Sequence, residues 1–337
     1  MKVDTGLPTD PRAPVGELAR AAEAIGFDGL WAAETDHDPF LALALAAQAT
    51  SRIELGTSVA IAFARSPTVM AQTGWDLQAL SRGRFILGLG TQVKAHVERR
   101  FAMPWGPPAP RLREYVGVVR ALWSTWQTVA PLNFRGEHYS ATLMTPFFNP
   151  GPIEAAAPPI HVAGVAPPLL RLTGEVADGL AVHPLHTRSY LLEVARPAIA
   201  RGAARAGRDP RAVALSIPAF VVTGRDVAER ERARQRVRAR IAFYASTPSY
   251  APVMEHHGWG EARAALSSLA ARRRWDEMPG LIDDAMLCQF AIDAEPADVA
   301  PALRERYVDL ADRLSLSVPF VPGQDDRFWR ETLAALR

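Results

Sequence analysis

The sequence is poor in several features that would point to particular classes of protein. It has one cysteine, Cys288, so it can form neither an internal disulfide nor a cysteine-based metal cluster. Its 38 basic and 36 acidic residues leave a formal net charge of only +2, so no overall field would draw nucleic acid to it. We therefore expect the protein to reside in a reducing compartment and to have no nucleic-acid partner.

Long apolar runs are also missing. The amino-terminal stretch MKVDTGLPTDPRAP lacks the apolar core of a signal peptide, and no run of about 18 apolar residues follows it. This predicts a cytoplasmic protein with no membrane partner. Apolar residues nevertheless make up 48% of the 337 residues and charged residues 22%, which is typical of a globular chain with a large core.

Short β-rich runs alternate with longer helical patterns along the chain, a rhythm that predicts parallel strands joined by crossover helices. The pair Ser66-Pro67, for example, has the chemistry of a helix start. A segment at 290–293 is a further strand candidate, but we assign 315–319 as the eighth strand. The predicted strands are 2–7, 29–33, 53–62, 84–90, 160–163, 179–183, 212–223 and 315–319.

The pattern predicts a (β/α)₈ TIM barrel, and no repeat or composition shift divides it, so we expect a single domain over 1–337. Two regions break the rhythm and predict insertions after strands 4 and 7. Residues 127–159 contain prolines, aromatics and a short hairpin, LNF-RGE-HYS. Residues 226–287 are too long for one crossover, which predicts two or three helices that form a lid or an interface.

In barrels of this type the chemistry lies at the carboxyl ends of the strands. The residues just after each apolar run are therefore the candidates for a site. They are Glu34, Asp36, His37, Ser58, Val59, Thr91, Gln92, Gly164, Val165, Ala166, His183 and His186.

The sequence gives little support for two other kinds of site, a dinucleotide-binding site and a metal site. Gly88-Leu89-Gly90 follows a strand, but no third glycine completes a dinucleotide-binding fingerprint. The pairs His183 with His186 and His256 with His257 lack a carboxylate at ligand spacing, so we expect no metal site.

Four segments carry a family resemblance: GFDGLWAAETDHDPF, IELGTSVAIAFARSP, GRFILGLGTQ and HVAGVAPPLLRLTGEVADG. In this order and at barrel spacing they resemble the luciferase-like monooxygenase superfamily, especially its F420-dependent branch. The resemblance covers nearly the whole chain. It implies an oxidoreductase that moves a hydride between coenzyme F420 and a small organic substrate, and we expect a homo-oligomer, in the form of a dimer.

The resemblance also implies roles for individual residues. His37, beside Asp36, is expected at the ring system where the hydride moves, and an imidazole can exchange a proton at physiological pH. Ser58-Val59 matches the position of a non-prolyl cis peptide that bulges beneath the cofactor's central ring. Gln92 takes the place of an acidic residue found in the sugar-phosphate-oxidising branch, so it can orient a ligand but cannot donate a proton as a carboxylic acid does.

The remaining cofactor contacts are expected at two loops. Thr91 follows strand four and is a cofactor-binding candidate. Gly164, Val165 and Ala166 precede a helix that begins at Pro167-Pro168, and backbone amides at a helix start favour an anion, so we expect the cofactor phosphate there.

Several alternatives stay open from the sequence. Lys94, His96, Arg99 and Arg100 form either a solvated helical turn or a pocket wall for the acidic tail of F420. The chain could instead be an FMN-dependent monooxygenase of the same fold or, less in keeping with the polar residues at the strand ends, a non-catalytic flavin-binding protein. A metal-dependent barrel hydrolase is the most distant alternative. No motif identifies the substrate.

Overall fold

Eight short strands form a closed parallel barrel in the computed structural model, which describes residues 1–337. Strand β1 pairs with both β2 and β8, so the sheet has no free edge there. The barrel strands are β1 Lys2–Gly6, β2 Gly29–Ala32, β3 Glu54–Thr57, β4 Phe85–Gly90, β5 Ile160–Ala163, β6 Gly179–Ala181, β7 Ala214–Val222 and β8 Arg313–Leu316.

Helices surround the barrel and connect its strands. Helix α7 consists of Arg188–Tyr190, a π turn over Leu191–Ala195, and Arg196–Arg205. The other helices are α1 Val15–Ile25, α2 Pro39–Ala49, α3 Pro67–Leu80, α4 Lys94–Arg99, α5 Pro108–Thr128, α6 Pro167–Val176, α8 Val227–Ala245, α9 Ala251–His256, α10 Gly260–Ala271, α11 Asp284–Phe290, α12 Val299–Tyr307 and α13 Asp326–Leu336.

The strand register determines which side chains point into the barrel. Gly179 faces the interior, because a Cβ there would lie 2.5 Å from the ring of His161, which stacks on Trp31. Side chains alternate along a strand, and residues that pair in parallel strands share a face. Apart from Trp31 and Ile86, the interior set is polar or small, whereas the other set, from Val3 and Leu30 round to Leu314, is mostly apolar and packs against the helices.

A buried ionic network occupies the amino-terminal end of the barrel interior. Arg313 donates to both carboxylate oxygens of Asp4 at 2.7 Å and also pairs with Glu54. The indole of Trp31 donates to Asp4 at 2.7 Å, and the guanidinium of Arg313 lies 5.3 Å from the Trp31 ring centroid. Asp4 and Arg313 are almost fully buried, so each charge depends on its partner.

Residues 227–290, which we call the cap, cover the carboxyl ends of three strands. Their helices α8–α11 share a second apolar cluster with the barrel. The barrel contributes residues that follow β5 and β6, together with the end of β7: Val165, Leu185, Phe220 and Val222. A short strand, Ala291–Asp293, then pairs in parallel with Phe220–Val222.

The structure confirms the barrel and corrects several boundaries. The predicted strand 53–62 is wrong as one element, because it breaks at Ser58-Val59 into β3 and a two-residue strand, Ala60–Ile61. Strand eight begins at Arg313, two residues before the predicted start, because this charged side chain faces the interior and pairs with Asp4. The segment at 226–287 holds three complete α-helices, as predicted, and the first residues of a fourth.

Two other predicted features, the hairpin in 127–159 and the helix start at Ser66-Pro67, are confirmed. The hairpin pairs Phe134–Arg135 with Ser140–Ala141, and Ser66 caps α3 by accepting the N–H of Val69. No helix combines the length and the apolar character needed to cross a membrane. The single-domain assignment and the expected dimer stay predictions.

Candidate active site at the carboxyl ends of the strands

The carboxyl end of the barrel interior is an open mouth lined by small residues. Above the buried ionic network, the next inward-facing positions of the strands are glycine, alanine and serine residues, which are at least partly accessible although they belong to the barrel interior. A Cβ at Gly6 would meet no atom within 4 Å. The accessible lining residues are Gly6, Ala33, Ser58, Ala163 and Ser315. A flat ligand could therefore approach the backbone closely here.

The peptide bond Ser58-Val59 is cis, as the family resemblance implies. The N–H of Ser58 donates to the carbonyl of Ala32 at 2.8 Å, which ties the bulge to β2. On the other side, Thr57 and Gly88 form a reciprocal pair: the Thr57 hydroxyl donates to the Gly88 carbonyl at 2.7 Å and accepts the Gly88 N–H at 2.8 Å. The bulge is thus held from both neighbouring strands.

The two glycines of β4 make room for this bulge. A Cβ at Gly88 would collide with the carbonyl oxygen of Thr57, and one at Gly90 would lie 2.6 Å from a methyl group of Val59. Their role is therefore to admit the backbone of β3, and this explains a Gly-Leu-Gly sequence without any dinucleotide.

Glu34 lies at the strand end as predicted, but its carboxylate is already engaged. It is buried and accepts two hydrogen bonds from Arg65, at 2.7 and 2.8 Å, and one from the N–H of Ile61 at 2.7 Å. Arg65 also donates to Asp38 at 2.8 Å. This bidentate pair anchors the chain after the bulge, so Glu34 and Arg65 position the site and Glu34 is not free to exchange a proton with a ligand.

His37 lies on the loop after β2, among carboxylates. Its Nε2 is 3.8 Å from Asp36, its side chain is 37% exposed, and neither ring nitrogen forms a hydrogen bond within the chain. The Thr35 hydroxyl, which donates to Asp36, holds the pKa of that carboxyl below its usual range. Asp10, on the loop after β1, has its pKa lowered mainly by its hydrogen bonds with Arg12 and slightly by His37.

Thr91 and Gln92 end β4 at the rim of the mouth. Gln92 has a left-handed backbone with φ of 59°, a conformation that non-glycine residues rarely adopt. Its Oε1 accepts the N–H of Val93 at 3.0 Å, whereas its amide nitrogen has no partner in the chain. The buried Thr91 donates to the Gln92 carbonyl at 3.2 Å. Gln92 therefore presents a free N–H donor that is fixed in orientation.

The loop Gly164, Val165 and Ala166 carries three consecutive backbone N–H groups with no acceptor in the chain. The helix start itself contributes less than we expect from the sequence, because Pro167 and Pro168 have no N–H and Leu169 donates to the Ala166 carbonyl at 3.0 Å. The anion-binding capacity therefore belongs to the loop, as in a backbone nest. The hydroxyl of Tyr190 donates to the Val165 carbonyl at 2.9 Å and holds the loop in place.

His183 and His186, which follow β6, have different environments. His186 is buried, and its Nε2 lies 3.2 Å from the hydroxyl of Tyr307, so it belongs to the packing between strand and helix. His183 is partly accessible and stacks on Tyr250 of the cap, with ring centroids 4.0 Å apart. The sequence identifies His183 only by position, and it offers no sign of Tyr250.

The basic residues after β4 are mostly uncommitted. Lys94 is 3.9 Å from Glu98, and Arg100 donates to the carbonyl of Thr35 and lies over Phe101. His96 and Arg99 are exposed and have no side-chain partner. Arg100 therefore ties α4 to the loop that carries His37, while the role of the others stays a prediction.

A cleft of about 490 Å³ opens at the opposite, amino-terminal end of the barrel, beside α2 and α3. Its polar lining is already committed: Glu23 accepts the N–H groups of Ser51, Arg52 and Ile53, and Arg84 donates to five acceptors nearby. We place the site at the carboxyl ends, where unpartnered donors and an open mouth coincide.

Comparison with known proteins shows which family model the chain matches and which proteins it resembles. A model of the family described as luciferase-like monooxygenase matches residues 2–313. An uncharacterized protein of Mycobacterium tuberculosis (strain H37Rv) is 48% identical over 93% of this chain and 92% of its own. The 5,10-methylenetetrahydromethanopterin reductase of Methanolobus tindarius is 30% identical over 89% of this chain and 88% of its own.

Among solved structures, the coenzyme F420 dependent tetrahydromethanopterin reductase from Methanopyrus kandleri superposes with a TM-score of 0.77. The match covers 99% of this chain and 97% of that one at 22% identity, so it establishes a shared fold.

Proposed function

Because the chain belongs to the luciferase-like monooxygenase family, we propose that it is an F420-dependent oxidoreductase that transfers a hydride between coenzyme F420 and a small organic substrate. The observation that carries this proposal is the coincidence of an open, small-residue mouth with three unpartnered amides at one rim and an unpartnered imidazole at another. The similarity of this chain to an F420-dependent reductase of the same fold supports F420, and not a flavin, as the cofactor.

The residues present fit such a cofactor. The amides of Gly164, Val165 and Ala166 would hold its phosphate, and the bulge at Ser58-Val59, flanked by Gly88 and Gly90, would support its ring system. Thr91 and Asp36 would line the remaining edges. Coenzyme F420, when bound, supplies the chemistry of hydride exchange.

Two side chains of the protein would act on the substrate, one by exchanging a proton with it and the other by orienting the ligand. His37 would give a proton to, or take one from, the substrate heteroatom next to the carbon that gains or loses hydride, so that hydride and proton together account for a two-electron change. Its free ring nitrogens and partial exposure suit that task. Gln92 would orient the ligand through its unpartnered amide N–H.

Separate titrations of the purified protein with F420 and FMN test the cofactor, with fluorescence quenching as the measurement. We expect F420 to bind about tenfold tighter than FMN or better, a difference of about 1.4 kcal/mol. The reverse order would support an FMN-dependent monooxygenase, which the same amides could serve. Binding of neither would overturn both assignments.

Ala166→Asp tests the phosphate site. Gly164 is unsuitable for this purpose, because any Cβ there would lie 2.6 Å from that of Leu169. Ala166 is the N-cap of α6 with an extended backbone, a position that favours aspartate. A carboxylate there would repel the phosphate, and since two unit charges about 4 Å apart near a protein surface interact by about 4 kcal/mol before screening, we expect cofactor affinity to fall about 10- to 100-fold.

Ala166→Asn is the matched control, because asparagine caps the helix equally well without a charge. We expect it to keep cofactor affinity within a few fold, and both variants to retain the wild-type melting temperature or exceed it. Equal affinity in the aspartate and asparagine variants would show that no anion binds at this loop.

A further inference from the structure

His183 continues the inward-facing row of β6 beyond the end of the strand. Gly179 faces the ring of His161 inside the barrel, so alternation places Ala181 and then His183 on the same side. Val182 still donates to the carbonyl of Ser216, which extends the sheet pairing up to the residue before His183. The imidazole therefore stands at the mouth, on the side covered by the cap.

Two tyrosines of the cap meet this imidazole. Tyr250, between α8 and α9, stacks on it with ring centroids 4.0 Å apart and planes inclined by 28°. Tyr244, near the end of α8, approaches edge-on, with centroids 4.7 Å apart at 80°. Three aromatic rings from two parts of the chain thus form one wall, which we call the aromatic wall: His183, Tyr244 and Tyr250.

Each member of the aromatic wall has a polar atom without a partner in the chain. The Nδ1 of His183 accepts the N–H of Leu185 at 3.1 Å, so in the neutral ring the proton is on Nε2, which makes no hydrogen bond. Neither tyrosine hydroxyl makes one either. None of the three atoms is buried away from solvent, and the three residues are only partly buried, so a ligand can reach these atoms.

These polar atoms are neutral donors. Burial, helped by His186, lowers the pKa of His183 to about 3, so the ring stays uncharged at physiological pH. Burial also raises the pKa of Tyr250, which keeps its hydroxyl protonated. A wall of this kind offers aromatic faces and uncharged N–H and O–H groups, and no charge for an ionic substrate.

We propose that the aromatic wall binds the substrate, and that it selects a neutral, planar aromatic ring system with carbonyl or ring-heteroatom acceptors. Stacking contributes through offset or edge-to-face geometry, and the Nε2–H of His183 adds a hydrogen bond to an acceptor on the ring. This rests on the proposed function only in that the bound ring would be the partner in hydride exchange. Its binding is measurable without turnover.

The test uses 7-methoxycoumarin, a neutral fluorescent bicycle with a carbonyl, and 2-methoxynaphthalene, of similar shape without that acceptor. We expect the full-length wild-type protein to bind the coumarin about tenfold tighter than the naphthalene. His183→Phe keeps a ring but removes the donor, so it is expected to abolish this preference and leave naphthalene binding within a few fold. Tyr250→Leu removes a stacking face and should weaken both probes.

Two further variants distinguish a loss of probe binding from a folding defect. His183→Asn retains an acceptor for the Leu185 N–H, and Tyr250→Phe retains the stacked ring, so both are expected to melt like wild type. The asparagine variant should nevertheless lose the coumarin preference. A preference that survives in both position-183 variants, or no preference in the wild type, would overturn the proposal.

F420 titration of the same variants separates this proposal from the proposed function. We expect unchanged F420 affinity in every variant of the aromatic wall. If the wild type fails to bind F420 yet shows the coumarin preference, the cofactor assignment is wrong, and the role proposed for the aromatic wall is supported. If F420 binds and the preference is absent, only the role proposed for the aromatic wall is wrong.

Discussion

Replacement of His37 by alanine is expected to lower kcat about 10²- to 10⁴-fold and to leave F420 affinity within a few fold. The reason is that His37 is the only unpartnered imidazole on the loop after β2 and faces Asp36 at 3.8 Å, so it would move the substrate proton. The cofactor would draw its binding mainly from ring contacts and the amides at 164–166, which this change does not touch.

The measurement is the pH profile of kcat for wild type and variant, with a substrate found by screening, together with F420 titration. His138→Ala is the matched control, since this histidine lies in the hairpin at 134–141, outside the site, and its side chain has no partner, so it should behave like wild type. The shape of the profile should also differ in His37→Ala, because the group that moves the proton is gone. Wild-type kcat with an unchanged profile would make His37 a structural residue and assign proton transfer to another group.

Arg313→Met is expected to produce the largest loss of stability, about 3 to 5 kcal/mol in the free energy of unfolding. Methionine can fill the space of the side chain, but it leaves the carboxylate of Asp4 buried with only the Trp31 indole as a donor. Denaturant unfolding at neutral pH measures the loss. The double variant Asp4→Asn with Arg313→Met should recover much of it, because asparagine carries no charge and still accepts from Trp31.

The pH dependence of the Arg313→Met loss provides an independent check. Burial already raises the pKa of Asp4, and Arg313 is the main influence that opposes it, so removal of Arg313 raises that pKa further. A carboxyl with a raised folded-state pKa favours the fold when protonated, so its contribution is present at low pH and lost as the pH rises. The deficit of the variant should be smaller near about pH 4 than near about pH 7.5. A deficit independent of pH would mean that lost packing, not the buried charge, is its cause.

Elements encoded by neighbouring residues were predictable. Helix α1, Val15–Ile25, has apolar residues at helical spacing and ends at Gly26, whose φ of 113° a glycine adopts readily. The capped start at Ser66-Pro67 and the buried run of β4 are equally local. The alternation of such elements is what predicted the barrel and placed the candidate residues at strand ends.

Features that depend on distant contacts were not predictable in this way. Arg313 looks like an interruption of a strand until its partner Asp4, 309 residues away, is beside it. The cis peptide at Ser58-Val59 was available only through family resemblance, because Thr-Ser-Val-Ala is also an ordinary strand sequence.

The sequence by itself determined the order of the eight barrel strands and of the main helices between them, and hence which loops share the carboxyl end of the barrel. Tertiary structure alone decided which groups there remain free: Glu34 is bound by Arg65, whereas the His37 ring, the amide nitrogen of Gln92 and the backbone N–H groups at 164–166 lack partners. It also brought Tyr250 of the cap onto His183. The physical reason is that secondary structure follows from spacing over a few residues, whereas a polar group is free or engaged according to neighbours that only barrel closure and cap packing bring within hydrogen-bonding distance.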